Sequence, residues 1–304
     1  KKNKTALIFA DAQGGEETYT YADLRKLTNR FANVLTSQNI NKGDRVFLFL
    51  PSIPERLVAF LGVMKMGAIA GTLFSAFQEM ALKDRLSDAQ AKVVVTNAAL
   101  YPRIQAIWKE LPQLEKVIIV ERGEGNLPSD KRIVSYEKAM QKASPKFEAV
   151  HMHKDEYAYM LYTSGTTGKP KGVVHSHGDV LQAMVTTRYV LDLQDADVYW
   201  CTADIGWVTG VVYGVLGPMG LGATSVLYEG RFSPENWYGL LQKYKVTVWY
   251  TAPTAIRLLM GAGTDLKQFD LSSLRHLCSV GEPLNPEAIW WGLKAYGLPF
   301  HDTW

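Results

Sequence analysis

Cysteine is scarce in this sequence, with only two among 304 residues. Cys201 and Cys278 lie far apart, and no Cys-x-x-Cys pair occurs. Small secreted domains depend on several disulfides, and structural zinc sites need clustered cysteines or histidines. The sequence therefore excludes a disulfide framework and a cysteine-based zinc site, and we expect a cytoplasmic protein.

Neither sign of charge dominates the chain. It has 33 basic and 30 acidic residues, which gives a net charge of +3, and the two signs are interspersed. A dedicated nucleic-acid binder carries a basic stripe or patch, so we expect no nucleic-acid partner. The first residues also lack the apolar segment of a targeting signal.

One uncharged stretch, residues 205–228, has to be weighed as a membrane span. Its 24 residues include Gly206, Gly210 and Gly214 at the spacing found between packed transmembrane helices. The stretch also contains six glycines and Pro218, and its last residues favour β-structure. This composition favours a buried glycine-rich helix followed by a buried strand. We therefore expect no membrane partner and keep the span as the alternative.

Short apolar runs alternate with helical patterns along the chain. Apolar residues in 24–35 recur at helical spacing, and the run 45–50 that follows is typical of a buried strand. Regular alternation of this kind predicts an α/β fold in which repeated βα units form two mostly parallel sheets flanked by helices. The polar stretch 122–150 separates two such series. We therefore expect two subdomains, 1–145 and 146–304.

The densest cluster of hydrogen-bond donors is the segment 162–172, Tyr-Thr-Ser-Gly-Thr-Thr-Gly-Lys-Pro-Lys-Gly. Glycines expose backbone amides, and hydroxyls and lysines add donors, so the composition is typical of a loop that holds phosphate. A Walker P-loop is excluded, because only two residues separate Gly165 from Gly168 and Pro170 stands where a magnesium-binding hydroxyl is needed. An ordinary surface turn is the alternative.

Three other predicted strands are also followed by glycines and by hydroxyl, carboxylate and tryptophan side chains, in segments 203–210, 280–283 and 302–304. Ligands of open α/β sheets bind at the carboxyl ends of strands. A nucleotide needs a flat face for its base, backbone that can be approached closely, and polar partners for its ribose. The four segments together predict a nucleotide site.

With these segments the sequence resembles the acyl-adenylate-forming superfamily and, more narrowly, the acetyl-CoA synthetase family. Residues 162–172 match the phosphate-loop signature of the superfamily. Four further segments match the acetyl-CoA synthetase family, which activates acetate and propionate: 200–210, 250–257, 279–287 and 302–304. The resemblance extends from about residue 18 to the end of the chain.

The resemblance implies a two-step reaction. Acetate and ATP give acetyl-AMP and pyrophosphate, and the thiol of CoA then displaces AMP. Propionate or another short-chain acid is the alternative substrate, because one methylene in an apolar pocket is worth only about 1 to 3 kcal/mol. The expected small-molecule ligands are acetate, ATP or AMP, and CoA. Mg²⁺ is expected with the phosphates. The residue that binds this ion in the family lies beyond Trp304, so no metal ligand is assigned in this chain.

The resemblance also implies roles for individual residues. The phosphates are expected at Thr163, Ser164, Gly165, Thr166, Thr167, Gly168 and Lys169. Of these, Thr163 and Lys169 are expected to act in catalysis. Adenine and ribose are expected beside Gly281, Glu282, Pro283, Asp302, Thr303 and Trp304. The acyl pocket is expected among Trp207, Val208, Thr209 and Val280, and Thr209 is also expected to face the CoA tunnel.

The family pattern continues beyond Trp304 with a second tryptophan, a Thr-Glu pair, a hinge and a mobile domain that bears the adenylation lysine. We therefore expect a truncated N-terminal part of such an enzyme, inactive alone. A non-catalytic adenine-nucleotide-binding module is the alternative from another functional class. Long acetyl-CoA synthetases carry an Arg-x-x-Arg pair for the CoA nucleotide, but only Arg103 lies near that position, so the CoA phosphate contacts stay unassigned.

Two histidine pairs alternate as strand residues do: His151 with His153, and His175 with His177. No cysteine or acidic cluster completes either pair, so neither is predicted to bind a metal. Packing in the core or contact with a partner is expected for the other tryptophans, namely Trp237, Trp249, Trp290 and Trp291.

Overall fold

The computed structural model describes residues 1–122, 127–163 and 168–303. The chain forms two compact units. The terminal unit contains Lys1–Tyr21 and Val180–Trp304, and the central unit contains Ala22–Asp179. Each unit is built on a seven-stranded sheet.

The described strands are, in chain order, β1 (Thr5–Asp11), β2 (Glu16–Thr20), β3 (Arg45–Phe49), β4 (Ile69–Thr72), β5 (Val93–Asn97), β6 (Lys116–Val120), β7 (Ile133–Ser135), β8 (Tyr157–Thr163), β9 (Lys171–Ser176), β10 (Val198–Cys201), β11 (Thr224–Glu229), β12 (Val248–Thr251), β13 (His276–Ser279) and β14 (Phe300–Asp302). The described helices are α1 (Tyr21–Ser37), α2 (Pro54–Lys65), α3 (Glu79–Asp88), α4 (Tyr101–Ile107), α5 (Tyr136–Lys142), α6 (Asp179–Tyr189), α7 (Val208–Val211), α8 (Gly217–Leu221), α9 (Pro234–Lys243), α10 (Pro253–Ala262) and α11 (Pro286–Tyr296). A π-helical turn, Val212–Leu216, joins α7 to α8, and 3-10 turns lie at Trp108–Glu110 and Leu266–Gln268.

The sheet of the terminal unit has the strand order β14-β13-β12-β10-β11-β1-β2. Its neighbours are parallel except β1 and β2, which pair antiparallel at one edge. Strand β10 has β11 on one side and β12 on the other. The connections from β10 to β11 and from β12 to β13 therefore run in opposite directions along the sheet. Such a switch leaves a crevice at the carboxyl ends of the two central strands, β10 and β12.

Large side chains pack against both faces of this sheet. Trp200, Trp237 and Trp249 belong to one buried cluster, with ring centroids 5.2, 6.1 and 6.2 Å apart. Tyr199 and Tyr250, their neighbours in sequence, belong to a different cluster. Successive residues of a strand point to opposite faces, so each strand has apolar side chains on both sides. This explains why the strands are continuous apolar runs rather than alternating ones.

The sheet of the central unit has the strand order β7-β6-β5-β3-β4-β8-β9. Its strands are parallel except for β9, which pairs antiparallel with β8 at the edge. Thr163 lies opposite Lys171 in this pairing. The predicted phosphate segment therefore connects the two strands of an edge hairpin.

The predicted fold class, two mostly parallel sheets flanked by helices, is confirmed. The sequence does not predict β7, which has three residues, or β9, whose residues 171–174 are exposed and so lack a buried pattern. The boundaries of the two units also differ from the predicted ones, which divided the chain after residue 145. Strands β8 and β9 complete the central sheet, and β1 and β2 join the terminal sheet, through pairings between segments distant in sequence.

The uncharged stretch 205–228 lies within the terminal unit and ends in β11. A Cβ atom on Gly217 would lie 1.9 Å from Oγ1 of Thr187, and one on Gly220 would lie 2.6 Å from Cγ of Met184. These glycines therefore let α8 pack closely on α6, which explains their density. Among the residues that the structure describes, no helix is long and apolar enough to cross a membrane.

Candidate functional site

A cavity of about 510 Å³ lies in the terminal unit, where β10, β12 and β13 end. Its volume is in the range of small-molecule sites. The lining residues are Thr202, Ala203, Trp207, Val208, Thr209, Phe232, Trp237, Tyr250, Thr251, Ala252, Thr254, Ala255, Leu258, Val280 and Gly281. The cavity is thus at the crevice that the strand order creates, and its lining is mostly apolar with a few hydroxyls.

The loop between β10 and α7 supplies one wall of this cavity. The Asp204 carboxylate accepts a hydrogen bond from the amide of Gly206 at 2.6 Å, and the Asp204 carbonyl accepts one from the amide of Trp207 at 3.0 Å. These bonds close a turn that ends as α7 begins. The turn leaves Trp207 46% and Val208 50% exposed at the cavity wall. The loop therefore places apolar surface at the cavity wall.

Hydroxyl groups connect the strand ends beside the cavity, whose lining includes Thr202, Tyr250 and Thr251. Thr202 Oγ1 lies 2.7 Å from Thr251 Oγ1, and the Tyr250 hydroxyl lies 2.7 Å from Thr303 Oγ1. Thr303 also donates to the carbonyl of Ser279 at 3.1 Å. Burial raises the pKa of Tyr250 above its ordinary range, so Tyr250 stays a neutral hydroxyl. Thr303 is therefore fixed by β12 and β13 rather than free to reorient.

Glu282 is directed toward the start of α10. Its carboxylate accepts hydrogen bonds from the amide of Thr254 at 3.1 Å and from the Thr254 hydroxyl, and Arg257 Nη2 donates to it at 2.6 Å. These bonds from Thr254 and Arg257 hold the pKa of Glu282 below its usual value. The carboxylate therefore stabilises the N-terminal turn of α10, where negative charge is favourable.

The described part of the 162–172 segment lies in the β8–β9 hairpin of the central unit. Thr163 and Lys169 are exposed, and Gly168 has a φ of +83°, a conformation that favours glycine. Lys169 has no hydrogen bond or ion pair within the described residues, and residues 164–167 lie outside them. The hairpin is anchored by the Tyr162 hydroxyl, which donates to Asp88 Oδ2 at 2.6 Å. Burial, together with this bond to Asp88, raises the pKa of Tyr162.

The structure brings together five of the residues predicted for the site. Trp207, Val208, Thr209, Val280 and Gly281 all line the same cavity. Glu282, Pro283, Asp302 and Thr303 are not in its lining; Pro283 and Asp302 are exposed. Trp304, like Ser164, Gly165, Thr166 and Thr167, lies outside the described residues.

Several residues of the cavity wall carry no clear signal in the sequence. Phe232, Leu258 and Ala255 line the cavity but lie outside the strand-end segments to which roles were given. Trp237 was predicted for the core, and it is both buried and part of the wall. The segment 250–257 matches the family motif, and this was the signal that could have identified Thr254 and Arg257 as partners of Glu282.

A preformed metal cluster is absent from the described residues. In 1–122, 127–163 and 168–303, no group of three or more histidine, cysteine, aspartate or glutamate side chains could hold a metal ion. His175 instead lies 3.2 Å from Asp179 Oδ2, and its ring stacks on Tyr159 with centroids 4.5 Å apart.

Comparisons with known proteins show which family this chain resembles. The profile of the AMP-binding enzyme family matches residues 1–304. The chain is 49% identical over 306 residues to the acetyl-coenzyme A synthetase of Bacillus subtilis, covering all of this chain and 52% of that protein. It is 41% identical over 325 residues to that of Methanothrix thermoacetophila, covering all of this chain and 49% of that protein.

A solved structure is similar as well. The crystal structure of a Brucella canis acyl-CoA synthetase superposes with a TM-score of 0.89 at 33% identity, covering 99% of this chain and 54% of that chain. The chain thus spans about half the length of the curated relatives that it matches.

Proposed function

The chain belongs to the AMP-binding enzyme family, and we propose that it carries the nucleotide- and acyl-binding part of an acetate–CoA ligase that works through acetyl-AMP. One observation carries the proposal. Trp207, Val208, Thr209 and Val280, the residues expected around the acyl group, line a single cavity at the switch point of the terminal sheet. Relatives named acetyl-coenzyme A synthetase support acetate as the acid.

The acyl end of the cavity is proposed to hold the methyl group of acetate. Val208 and Val280 have branched apolar side chains, and Trp207 adds a large aromatic surface. Apolar walls favour the methyl group and exclude water, which would hydrolyse the acyl-adenylate. Thr209 lies in the same wall and is proposed to face the approach of the CoA thiol.

The nucleotide is proposed to bind beside the residues that follow β13 and β14. Gly281 has a φ of +106° and no atom within 4 Å of the position of a Cβ, so a flat base can approach its backbone. Glu282, with its carboxylate held by Arg257, is proposed to fix this backbone rather than to contact the base. The other proposed contacts are Pro283, Asp302, Thr303 and Trp304.

The chemistry requires no protein nucleophile. A carboxylate oxygen of acetate attacks the α-phosphorus of ATP, and the bond to the β-phosphate oxygen breaks to release pyrophosphate. Thr163 and Lys169 are proposed to stabilise the charge that develops on pyrophosphate, together with the residues 164–168. The CoA sulfur then bonds to the acetyl carbonyl carbon, and AMP leaves. Orientation of the reactants and charge stabilisation supply the rate enhancement.

Mg²⁺ is proposed as a partner of the ATP phosphates. The substrates are small molecules, and a cytoplasmic location is part of the proposal. Propionate or another short-chain acid is the nearest alternative substrate, because the pocket wall distinguishes a methylene by only about 1 to 3 kcal/mol.

A non-catalytic module that binds adenine nucleotides is the second candidate function, because a cavity at the switch point of the terminal sheet suits a nucleotide whether or not a reaction follows. The reading frame that encodes the chain distinguishes the two functions. A continuation after Trp304 with a Thr-Glu pair and a distant lysine supports the ligase. A stop codon directly after Trp304 supports the module.

Exchange of labelled pyrophosphate into ATP tests the ligase in the full-length protein. We expect exchange that depends on acetate, and we expect Lys169→Ala to slow it by about 100-fold, because a charge that stabilises the leaving pyrophosphate is lost. Lys154→Ala is the matched control, since Lys154 is also an exposed lysine of the central unit. Exchange that is equally fast without any carboxylic acid would contradict the adenylation reaction.

Val280→Gly in the full-length protein is expected to change the preferred acid. Removing the branched side chain enlarges the cavity by about two to three methylene groups, and each buried methylene is worth about 0.8 kcal/mol. The kcat/KM ratio of butyrate to acetate should therefore rise by about tenfold or more. Initial rates of acyl-CoA formation with acetate, propionate and butyrate measure it, and Val248→Ala, in the same sheet but outside the cavity lining, is the control. An unchanged ratio of kcat/KM would show that Val280 does not line the acyl pocket.

A further inference from the structure

A second cavity lies entirely within the central unit, away from the hairpin that carries Lys169. Its volume is about 690 Å³. We call it the basic cleft, and its lining residues are Arg25, Lys26, Asn29, Lys65, Pro145, Lys146, Phe147, Glu148 and Ala149. They come from the first half of α1, the end of α2 and the segment after α5.

The charge of the basic cleft is strongly one-sided. Four of its side chains are basic and only Glu148 is acidic, whereas the whole chain has 33 basic and 30 acidic residues. Within the described residues, no carboxylate forms an ion pair with any of the four bases: Arg25, Lys26, Lys65 and Lys146. A concave surface of one sign concentrates the electrostatic potential and attracts ions of the opposite sign.

Lys65 is the innermost of these bases. It is half-buried, and its ammonium donates to two neutral oxygens, Thr28 Oγ1 at 2.7 Å and Asn29 Oδ1 at 2.8 Å. Burial, and then the nearby positive charge of Arg25, lower the pKa of Lys65. The fold therefore keeps a partly desolvated cation beside a second cation, and an anion in the cleft would relieve this repulsion.

The walls of the basic cleft are held by side chains of α1. Arg30 Nη1 donates to the carbonyls of Met140 at 2.9 Å and Ala143 at 2.5 Å. Asn29 donates to the carbonyl of Pro145 at 2.9 Å. Asn33 donates to the carbonyls of Ser144 and Lys146 at 2.8 and 2.9 Å. An otherwise irregular segment is thus fixed against the helix, so the cleft is preformed and binding costs little ordering entropy.

We propose that the basic cleft binds a small molecule that carries at least two phosphate groups. Arginine and lysine side chains form charge-assisted bonds with phosphate oxygens, and several such groups are needed to neutralise this set of cations. The cleft is a compact, open concavity rather than an extended stripe, which fits a small ligand and not a nucleic acid. The site is independent of the proposed ligase chemistry, because none of its residues belongs to the proposed reaction site.

Lysine protection by inorganic tripolyphosphate tests the location of the site on the full chain. Acetylation of surface lysines is followed by mass spectrometry at low ionic strength, with and without the probe. We expect Lys26 and Lys146 to react at least about fivefold more slowly with tripolyphosphate present, while Lys109 and Lys131, exposed lysines of the same unit, keep their rates. Equal slowing of all four lysines would show general ionic screening and overturn the proposal.

Calorimetric titration then tests the residues. The double variant Arg25→Gln/Lys146→Gln should weaken tripolyphosphate binding by about tenfold or more, whereas Lys109→Gln/Lys131→Gln, with the same loss of charge, should change it by less than about twofold. Both pairs lie at exposed positions, so both variants should keep the wild-type melting temperature. Equal weakening by the two variants, or citrate binding as tightly as tripolyphosphate, would overturn the proposed phosphate specificity.

Discussion

Replacing Asp197 with alanine is expected to lower the free energy of unfolding of the terminal unit by about 2 to 4 kcal/mol. The Asp197 side chain is only 6% exposed. It accepts hydrogen bonds from Arg275 at 2.9 and 2.6 Å, from Thr247 Oγ1 at 2.8 Å and from the amide of Gln194 at 2.7 Å. The carboxylate thereby ties together the amino ends of β10, β12 and β13. Arg275 is 34% exposed, so the expected loss is smaller than for a fully buried ion pair.

The effect should depend on pH. Burial opposes ionisation of Asp197, but the hydrogen bonds from Arg275, Gln194 and Thr247 outweigh it and hold the pKa below its ordinary value. A carboxyl group whose pKa is lower in the folded state stabilises that state above its unfolded pKa, about 3.9. The contribution is lost as the pH falls through the folded pKa. The difference between wild type and Asp197→Ala should therefore be full at pH 7 and shrink below about pH 4.

Urea unfolding followed by tryptophan fluorescence measures this loss, because every tryptophan except Trp108 lies in the terminal unit. Asp195→Ala is the matched control. Asp195 is 59% exposed and pairs with Lys1, itself 60% exposed, so its removal should change the free energy of unfolding little. If Asp197→Ala costs no more than Asp195→Ala at pH 7, the buried network does not stabilise the unit.

The fold class could be predicted from local patterns, but the grouping of strands could not. Alternating apolar strands and helical stripes are local features, and they are enough to predict two mostly parallel sheets flanked by helices. Membership in a sheet is decided by pairing between distant segments. Strand β1 pairs with β11, more than 200 residues later, and no local signal marks that choice. The edge strand β9 was missed for a related reason, since its exposed residues carry no pattern of burial.

The residues of the candidate site, like the fold, could be predicted from the sequence only in part. The strand-end positions of Val208, Thr209 and Val280 could be predicted, because the carboxyl ends of parallel strands meet at one edge. The positions of Phe232 and Leu258 could not be predicted. Leu258 reaches the cavity from α10, and Phe232 reaches it from the loop before α9, and both approaches depend on packing. The direction of the Glu282 side chain likewise depends on Arg257, a partner 25 residues away.

Gly210→Ala is expected to slow acetate-dependent exchange in the full-length protein by about 100-fold and to destabilise the terminal unit by about 1 to 3 kcal/mol. A Cβ atom at this position would lie 2.1 Å from the carbonyl oxygen of Asp204, 2.4 Å from its carbonyl carbon and 2.7 Å from the amide nitrogen of Ile205. These are backbone atoms, so no side-chain rotation relieves the clash. The loop that positions Trp207 and Val208 at the cavity wall must move instead.

Gly214→Ala is a closely matched control for this effect. Gly214 lies four residues later in the same helical stretch, and its added Cβ would lie 3.7 Å from Sγ of Cys201, an ordinary van der Waals distance. Both variants make the same chemical change, and Gly210→Ala alone brings the new Cβ against the backbone of the Asp204 loop. We expect Gly214→Ala to exchange pyrophosphate at nearly the wild-type rate. Equal rates for the two variants would mean that the position of the Asp204 loop does not control the acyl pocket.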